Sequence, residues 1–447
     1  MDYTSHTELD IRHILKTIGV NSFEELIAGV IPENLRLNRP LNLPDGESEL
    51  ALFRQFLSMS EENNSAYKSL CFMGGGSYDH YSPAAIANIV GRSEFATAYT
   101  PYQAEVAQGT LQTIYEFQTL IARLMNMDAA NASHYDGATA LAEAVLMGVR
   151  KSKQTAVIIP YGLNPNYRAV LETYCSPVGV KLIKLSSSNG LMDLNEIKRN
   201  LDGVGVVVVQ QPNFFGMIEP ASDIASLAHE AGAFVVSSSN PVSLGLLIPP
   251  GEWGADVATS EGQPLGIPLS YGGPYLGLFA VKKPFLRQMP GRLVARAKDK
   301  HGEDGFVLTL QTREQHIRRE KATSNICTNQ ALIALSALVY LCLLGRNGFR
   351  RIALDSYRRA HYLQAEIDRI PGCSLKFKGE FFNEFLLELP QPAAEIQSEL
   401  LQKNILAGPL MTKWYPEMDN CLLIAVTEKR SLEDLDSFAA ALREIVS

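Results

Sequence analysis

Apolar positions recur every three to four residues near the start of the chain. Ile11, Ile14, Leu15 and Ile18 follow Thr7 and stop at Gly19, which predicts a short capped helix. Asn21-Ser22 opens a second, with Leu26 and Ile27 on its face. Pro32, Pro40 and Pro44 then predict extended pieces. Residues 1–68 therefore read as a helical arm without a core of its own, of the kind that lies on another surface. A Gly74-Gly75-Gly76 turn leads to Ser82-Pro83, a predicted N-cap and first turn of a helix reaching Ile89. Gln108–Met125 carries Leu111, Ile114, Gln118 and Ile121 at helical spacing, and Thr139–Val149 is a tightly packed helix of small apolar residues.

The pattern then alternates. Ala156–Pro160, Lys181–Leu185, Val204–Gln210 and Ala233–Val236 read as short strands. Asn164–Cys175, Asp193–Leu201 and Ser222–Ala231 read as the helices between them, and Leu276–Val281 as a strand that closes the sheet. Strands apolar on both faces, separated by helices of about ten residues, predict βαβ units and a mostly parallel sheet covered on both sides. After a basic stretch, Ile317–Ser324, a long helix is predicted from about Asn329 and another over Tyr357–Ile370. Strands are predicted at Ser374–Phe377, Glu384–Leu389 and Cys421–Val426. Ser431 with Asp434 caps a last helix. The expected organisation is an arm over 1–68, a large α/β domain over 69–325 and a smaller α+β domain over 326–447.

Composition narrows the function. With 40 basic and 48 acidic residues the net charge is −8, which disfavours nucleic acid as a partner. The six cysteines form no CxxC pair, so zinc and disulfide-scaffold readings fall away and a reducing cytoplasm is expected. The start is polar and acidic, unlike a secretion signal. The longest apolar run, Ala331–Gly345, is shorter than the ~18 residues of a membrane span, so a buried helix is expected there and no membrane. Asp79-His80 and His134-Tyr135-Asp136 lack further ligands at metal-site spacing, so no metal is expected.

In open α/β sheets ligands sit at the carboxyl ends of strands. That directs attention to Gln210–Gly216, Val236–Asn240 and Ala255–Gln263. Around these lie Tyr99-Thr-Pro-Tyr-Gln-Ala-Glu105 with Gln108-Gly109, Asn131-Ala-Ser133, Gln211-Pro-Asn213, Gly272-Gly-Pro274 and Arg319-Glu-Lys-Ala-Thr-Ser-Asn-Ile-Cys-Thr328. In these motifs, over nearly its whole length, the chain resembles the P-protein of the glycine cleavage system in its split, two-chain form. The resemblance implies a fold like that of the fold-type-I pyridoxal-phosphate (PLP) transferases. It also implies an activity, glycine dehydrogenase (aminomethyl-transferring). Such proteins decarboxylate glycine, release CO2 and pass the aminomethyl group to the lipoyl arm of H-protein, with T- and L-proteins completing the system.

That chemistry needs a lysine amine to hold PLP as an imine and a carboxylate to keep the pyridine nitrogen protonated. Aligned on Pro268 and Gly272-Gly273, the family's lysine falls on Gln263, and no lysine occurs between Lys198 and Lys282. The family's pyridine aspartate opens an Asp-x-x-Asn run. Here the run is Ser237-Ser-Ser-Asn240, so Asn240 matches and Ser237 replaces the acid. The resemblance then implies the lysine-less subunit, inactive alone and binding no cofactor, that pairs as α2β2 with a lysine-bearing homologue carrying the PLP. Ser133, Gly137, Thr139 and Asn240 remain as vestigial cofactor residues, with Asp136–Thr139 in the family's phosphate-cup region. Tyr99, Tyr102, Gln103 and Glu105, crowded beside Pro101, are candidates to enter the partner's pocket; a structural turn that fixes the arm is the alternative. The Gly74–Gly76 turn lacks phosphate-loop spacing and reads as a plain turn. Arg318, Arg319, Glu320 and Lys321 read either as a solvated turn with internal salt bridges or as a contact with a partner. Two other functions stay open: a self-sufficient PLP lyase or transaminase using a different lysine, and a non-enzymatic structural or regulatory homologue.

Overall fold

The computed structural model describes residues 5–37, 39–96 and 99–447. The chain divides into two units, Met1–Asn64 and Ser65–Ser447. The first holds three helices: α1 (Glu8–Ile18), α2 (Phe23–Ala28) and α3 (Glu49–Glu61). Thr7 and Asp10 form a reciprocal capping box on α1, and Gly19 ends it in the left-handed conformation. Ser48 caps α3, a helix not foreseen among the prolines. No residue of α1, α2 or α3 is buried, although Ile11, Ile14, Phe53 and Phe56 are large and apolar.

The second unit begins with β1 (Leu70–Cys71), α4 (Ala84–Val90), α5 (Gln108–Leu124), β2 (Ala129–Ala130) and α6 (Gly137–Ser152). The alternating stretch follows as β3 (Ala156–Ile159), α7 (Pro165–Cys175), β4 (Lys181–Lys184), α8 (Leu194–Asn200), β5 (Val204–Gln211), α9 (Ala221–Glu230) and β6 (Phe234–Ser239). A short α10 (Pro250–Trp253), β7 (Val257–Glu261) and β8 (Gly277–Val281) complete it. The sheet order is β2-β8-β7-β6-β5-β3-β4. The last five strands in that order are parallel, and β8 runs antiparallel to both its neighbours. Val206, Val207, Val208 and Val209 are wholly buried, because helices cover both faces of β5.

A hairpin of β9 (Leu293–Lys298) and β10 (Asp304–Thr309), unforeseen in the sequence, precedes the four-residue α11 (Gln315–Arg318) and α12 (Ala331–Ile367). Two predicted helices prove to meet in α12, and its break lies at Gly345, at φ 56° and ψ −174°. Before the break Ala334, Leu338 and Tyr340 pack into the core under the large sheet. After it Ala360, Leu363 and Ile367 pack into the C-terminal core. Among the described residues α12 is the one helix long and apolar enough to cross a membrane; here it joins two cores. The C-terminal part comprises β11 (Ser374–Leu375), β12 (Glu384–Glu388), α13 (Ala393–Gln402), β13 (Ile405–Leu406), β14 (Cys421–Ala425) and α14 (Leu432–Val446). β12 lies between β11 and β14 in an antiparallel sheet, while β1 pairs with β13. Phe72, Phe385 and Phe438 are buried in this core. Each such ring contributes roughly 1.5–3 kcal/mol by leaving water. One cap was misread: Ser82 does not cap α4, which starts after Pro83, and its hydroxyl donates to Gly266 O at 2.7 Å.

Candidate functional site: a filled pocket at the sheet's carboxyl edge

The carboxyl ends of β5, β6 and β7 meet the N-terminus of α6 and the Gly74–Gly76 turn, at the crevice where this class of sheet places a ligand. Three departures from a working site are visible there.

The first is Gln263, 1% exposed, two residues beyond β7. Its Oε1 accepts the Tyr78 N–H at 2.9 Å. Its Nε2 donates to Tyr78 O at 3.0 Å and to Ile267 O at 2.7 Å. The amide is thus a fully engaged crosslink, and it offers no nucleophile. The second is Ser237, wholly buried within β6. Its Oγ shares a hydrogen bond of 2.8 Å with Ser239 Oγ, and its carbonyl accepts from Thr259 Oγ1 at 2.8 Å. No acid stands at this position to pair with a pyridinium. Asn240, the matched residue of that run, turns its Oδ1 to its own chain and accepts the Val242 N–H at 3.0 Å.

The third is Glu261, the last residue of β7, which the motif reading missed. Its carboxylate is buried and accepts three backbone N–H groups: Gly137 at 2.9 Å, Gln263 at 2.9 Å and Leu276 at 3.0 Å. Gly137 is the first residue of α6, and Asp136 with Thr139 forms the capping box behind it. An N–H at a helix start is the usual receiver of a phosphate. Here a side chain of the same polypeptide has taken it. Burial pushes Glu261 up to about 7 against the pull of its three donors.

Around these groups the walls are tight. Gly75 N–H donates to Glu384 Oε1 at 2.6 Å, and Tyr78 Oη donates to Glu384 Oε2 at 3.0 Å. A Cβ on Gly74 would fall 2.1 Å from Glu384 Oε1, so the turn needs glycine for close approach. Burial lifts Glu384 to about 7 as well. Beside the start of β8, His134 stacks on Phe279 at 4.9 Å with neither ring nitrogen partnered, and burial drives it down to about 3, so it stays neutral. The space left between Gly76, Tyr78, Tyr167, Asn240 and Glu261 is about 30 Å3. That holds a water or two, against the ~300 Å3 at the low end for small-molecule pockets.

The residues present therefore do not fit PLP: no amine tethers it, no acid pairs with its ring, the helix start is taken and the volume is missing. Ser133, the remaining vestigial candidate, lies elsewhere in its bonding. At φ 122° its Oγ accepts from Gln330 N at 3.1 Å and Asn329 Nδ2 at 3.3 Å, which ties it to the start of α12. Among the described residues no group of three or more His, Cys, Asp or Glu side chains is gathered as for a metal ion.

The Tyr99–Glu105 segment is not part of this pocket's lining. Tyr99 is 80% and Tyr102 61% exposed, and Gln103 and Glu105 are exposed too. Tyr102 has its ring 5.9 Å from the buried Arg292 guanidinium and edge-on to His316. Gln108 fixes the segment's far end: its amide bonds both ways with the Phe306 backbone of β10, at 2.8 and 2.9 Å. Large polar aromatics are thus held outward by a braced backbone. Arg318, Arg319, Glu320 and Lys321 are exposed, as in a solvated turn, and no salt bridge joins them among the described residues.

The architecture and the position of this crevice define a protein built on the fold of the PLP-dependent fold-type-I enzymes. Sphingosine-1-phosphate lyase of Burkholderia pseudomallei shares that fold at a TM-score of 0.66 and 15% identity, over 93% of this chain and 94% of its own. The family model for the glycine cleavage system P-protein matches residues 1–442. Probable glycine dehydrogenase (decarboxylating) subunit 1 of Chlorobium limicola is 51% identical over 444 residues, 99% of each chain. That of Carboxydothermus hydrogenoformans is 47% identical over 445 residues, again 99% of each. A crystal structure of glycine decarboxylase (P-protein) in inhibitor-bound form superimposes with a TM-score of 0.92 at 43% identity, covering all of both chains. The chain belongs to the glycine cleavage system P-protein family.

Proposed function

We propose that this chain is subunit 1 of a split glycine dehydrogenase (decarboxylating), an obligate part of the enzyme that has no catalytic lysine of its own. A homologous subunit 2 carries the PLP, and two copies of each chain make up the enzyme. The cofactor there supplies the electron sink for glycine decarboxylation. CO2 leaves, and the aminomethyl group passes to the lipoyl arm of H-protein, with T- and L-proteins acting downstream. This chain contributes walls to the partner's pocket through the outward-facing Tyr99, Tyr102, Gln103 and Glu105. The cytoplasm is the compartment of this reading, and six unpaired cysteines suit it.

The observation that carries the reading is the state of the pocket in a chain that otherwise keeps the family's length and motifs. Gln263 and Glu261 are engaged in structural bonds where tethering and phosphate binding would have to occur. A self-sufficient lyase is disfavoured for the same reason, since the crevice contains no lysine at all. A non-enzymatic homologue is disfavoured by near-half identity, over the full chain, to relatives named as subunits of the enzyme.

The test is co-expression with the lysine-bearing homologue. The pair is expected to co-elute and to exchange bicarbonate into glycine, while this chain alone stays colourless and inactive. Borohydride reduction and mass mapping should place phosphopyridoxyl on subunit 2. A phosphopyridoxyl-lysine in this chain would overturn the proposal.

A further inference from the structure

The misfit with PLP has a positive side. Taking from the proposed function that the cofactor belongs to the partner, we infer that this chain's own pocket is self-liganded: the Glu261 carboxylate occupies the phosphate cup, and together with Gln263 and Glu384 it turns a cofactor site into a structural weld.

Three carboxamide or carboxylate side chains reach across the crevice, each bonding backbone from another part of the fold. Glu261 leaves the end of β7 and gathers the first N–H of the 16-residue α6 and the Leu276 N–H ahead of β8. Gln263 holds Tyr78 from both sides of its backbone, N–H and carbonyl together. Glu384, from β12 of the C-terminal part, holds the Gly75 N–H and the Tyr78 hydroxyl. The large sheet, the α6 start, the glycine turn and the C-terminal sheet are thereby bonded through one buried polar cluster. Gly137 has no room to yield: a Cβ there would meet Tyr167 Oη at 2.7 Å and the Glu261 backbone N at 2.8 Å. A phosphate could enter only by displacing Glu261 from three donors at once. Such networks rigidify when every member is satisfied, and here the two glutamates and the glutamine use their principal acceptors and donors.

A consequence separates this from mere loss of a lysine. Restoring the amine by Gln263→Lys should not restore cofactor binding, because the cup stays closed by Glu261. The experiment uses the full chain, alone and in complex with subunit 2, with PLP and inorganic phosphate as probes. Gln263→Lys treated with PLP and borohydride is expected to yield no phosphopyridoxyl at position 263. Glu261→Ala is expected to unfold at lower temperature than wild type, and millimolar phosphate should raise its midpoint while leaving wild type unmoved. Should Glu261→Ala not fold, Glu261→Gln serves instead: its amide oxygen can still accept from Gln263 and Leu276, but an NH2 faces Gly137, so amide exchange at Gly137 should speed up by at least ~10-fold, the equivalent of losing about one net hydrogen bond. The inference is overturned if Gln263→Lys alone is labelled at position 263, if phosphate stabilises wild type as much as Glu261→Ala, if phosphate leaves folded Glu261→Ala unmoved, or if the Gly137 amide of Glu261→Gln keeps wild-type protection. None of these readouts uses glycine exchange. An inactive wild-type complex would count against the proposed function and leave this inference standing.

Discussion

Gln263→Leu removes the amide but keeps roughly its volume, so the cavity and strain contributions stay small. What is lost is three hydrogen bonds: the one from Tyr78 N–H, and those to Tyr78 O and Ile267 O. At about 1 kcal/mol net apiece they amount to ~3 kcal/mol. Tyr78 and Ile267 are 7% and 5% exposed, so water cannot readily replace the lost partner. An orphaned buried N–H adds about 1–3 kcal/mol, which places the expected loss at ~4–6 kcal/mol, the size that broken buried networks produce. Urea unfolding of the purified chain, followed by far-UV circular dichroism, reads the midpoint and slope. The midpoint should fall with the slope unchanged. Native-state exchange of the Tyr78 amide should accelerate in parallel, because its acceptor is gone. A loss under ~1 kcal/mol with an unaltered slope and a still-protected Tyr78 amide would refute the claim that Gln263 is a crosslink.

Other outcomes follow from the same geometry. Glu384, lifted from 4.5 to about 7 in the folded chain, binds its proton more tightly folded than unfolded. Its contribution is therefore full below pH 4.5 and is lost as pH rises through about 7. Glu384→Gln should accordingly gain stability relative to wild type as pH rises across that window, measured by urea midpoints; a flat difference would contradict it. Ser431→Ala removes the side chain that accepts Asp434 N–H at 3.1 Å and should cost about 1 kcal/mol in thermal unfolding, with no change in subunit association. Tyr102→Ala, at an exposed ring, should leave the chain's own melting temperature within ~1 °C of wild type yet lower glycine–bicarbonate exchange by the two-chain complex at least ~10-fold. Unchanged exchange would return the Tyr99–Glu105 segment to a structural turn.

The large sheet was legible because its central strands are apolar on both faces and its helices announce themselves by caps: Asn164 and Asp193 each bond the first turn of the helix they were expected to open, as Ser431 does for α14 of the C-terminal part. What escaped notice did so for definite reasons. α3 follows three prolines, β9 alternates basic and apolar residues, and β10 buries none of its residues, so burial only at Leu293 and Val294 is too faint for a periodicity argument. The break at Gly345 was displaced because the apolar run before it and the amphipathic run after it look like separate helices, although only the glycine's left-handed φ interrupts the backbone. At the site, the missing lysine and the missing acid were implied by the family resemblance, aligned on Pro268, Gly272-Gly273 and Asn240. The occupancy of the α6 start by Glu261 was not: it depends on a strand end and a helix start 124 residues apart meeting in space. A glutamate closing a strand buried along its whole length was the available hint, since such a carboxylate needs donors.

The plugged crevice also bears on how this polypeptide can change over generations. Regaining independence would require an amine at 263, an acid at 237 and the withdrawal of Glu261, and these positions lie on separate strands or loops. Each step taken singly breaks buried hydrogen bonds and returns nothing until the others are in place. On the proposed function the specialisation works as a ratchet: no single codon leads back to a free-standing catalyst.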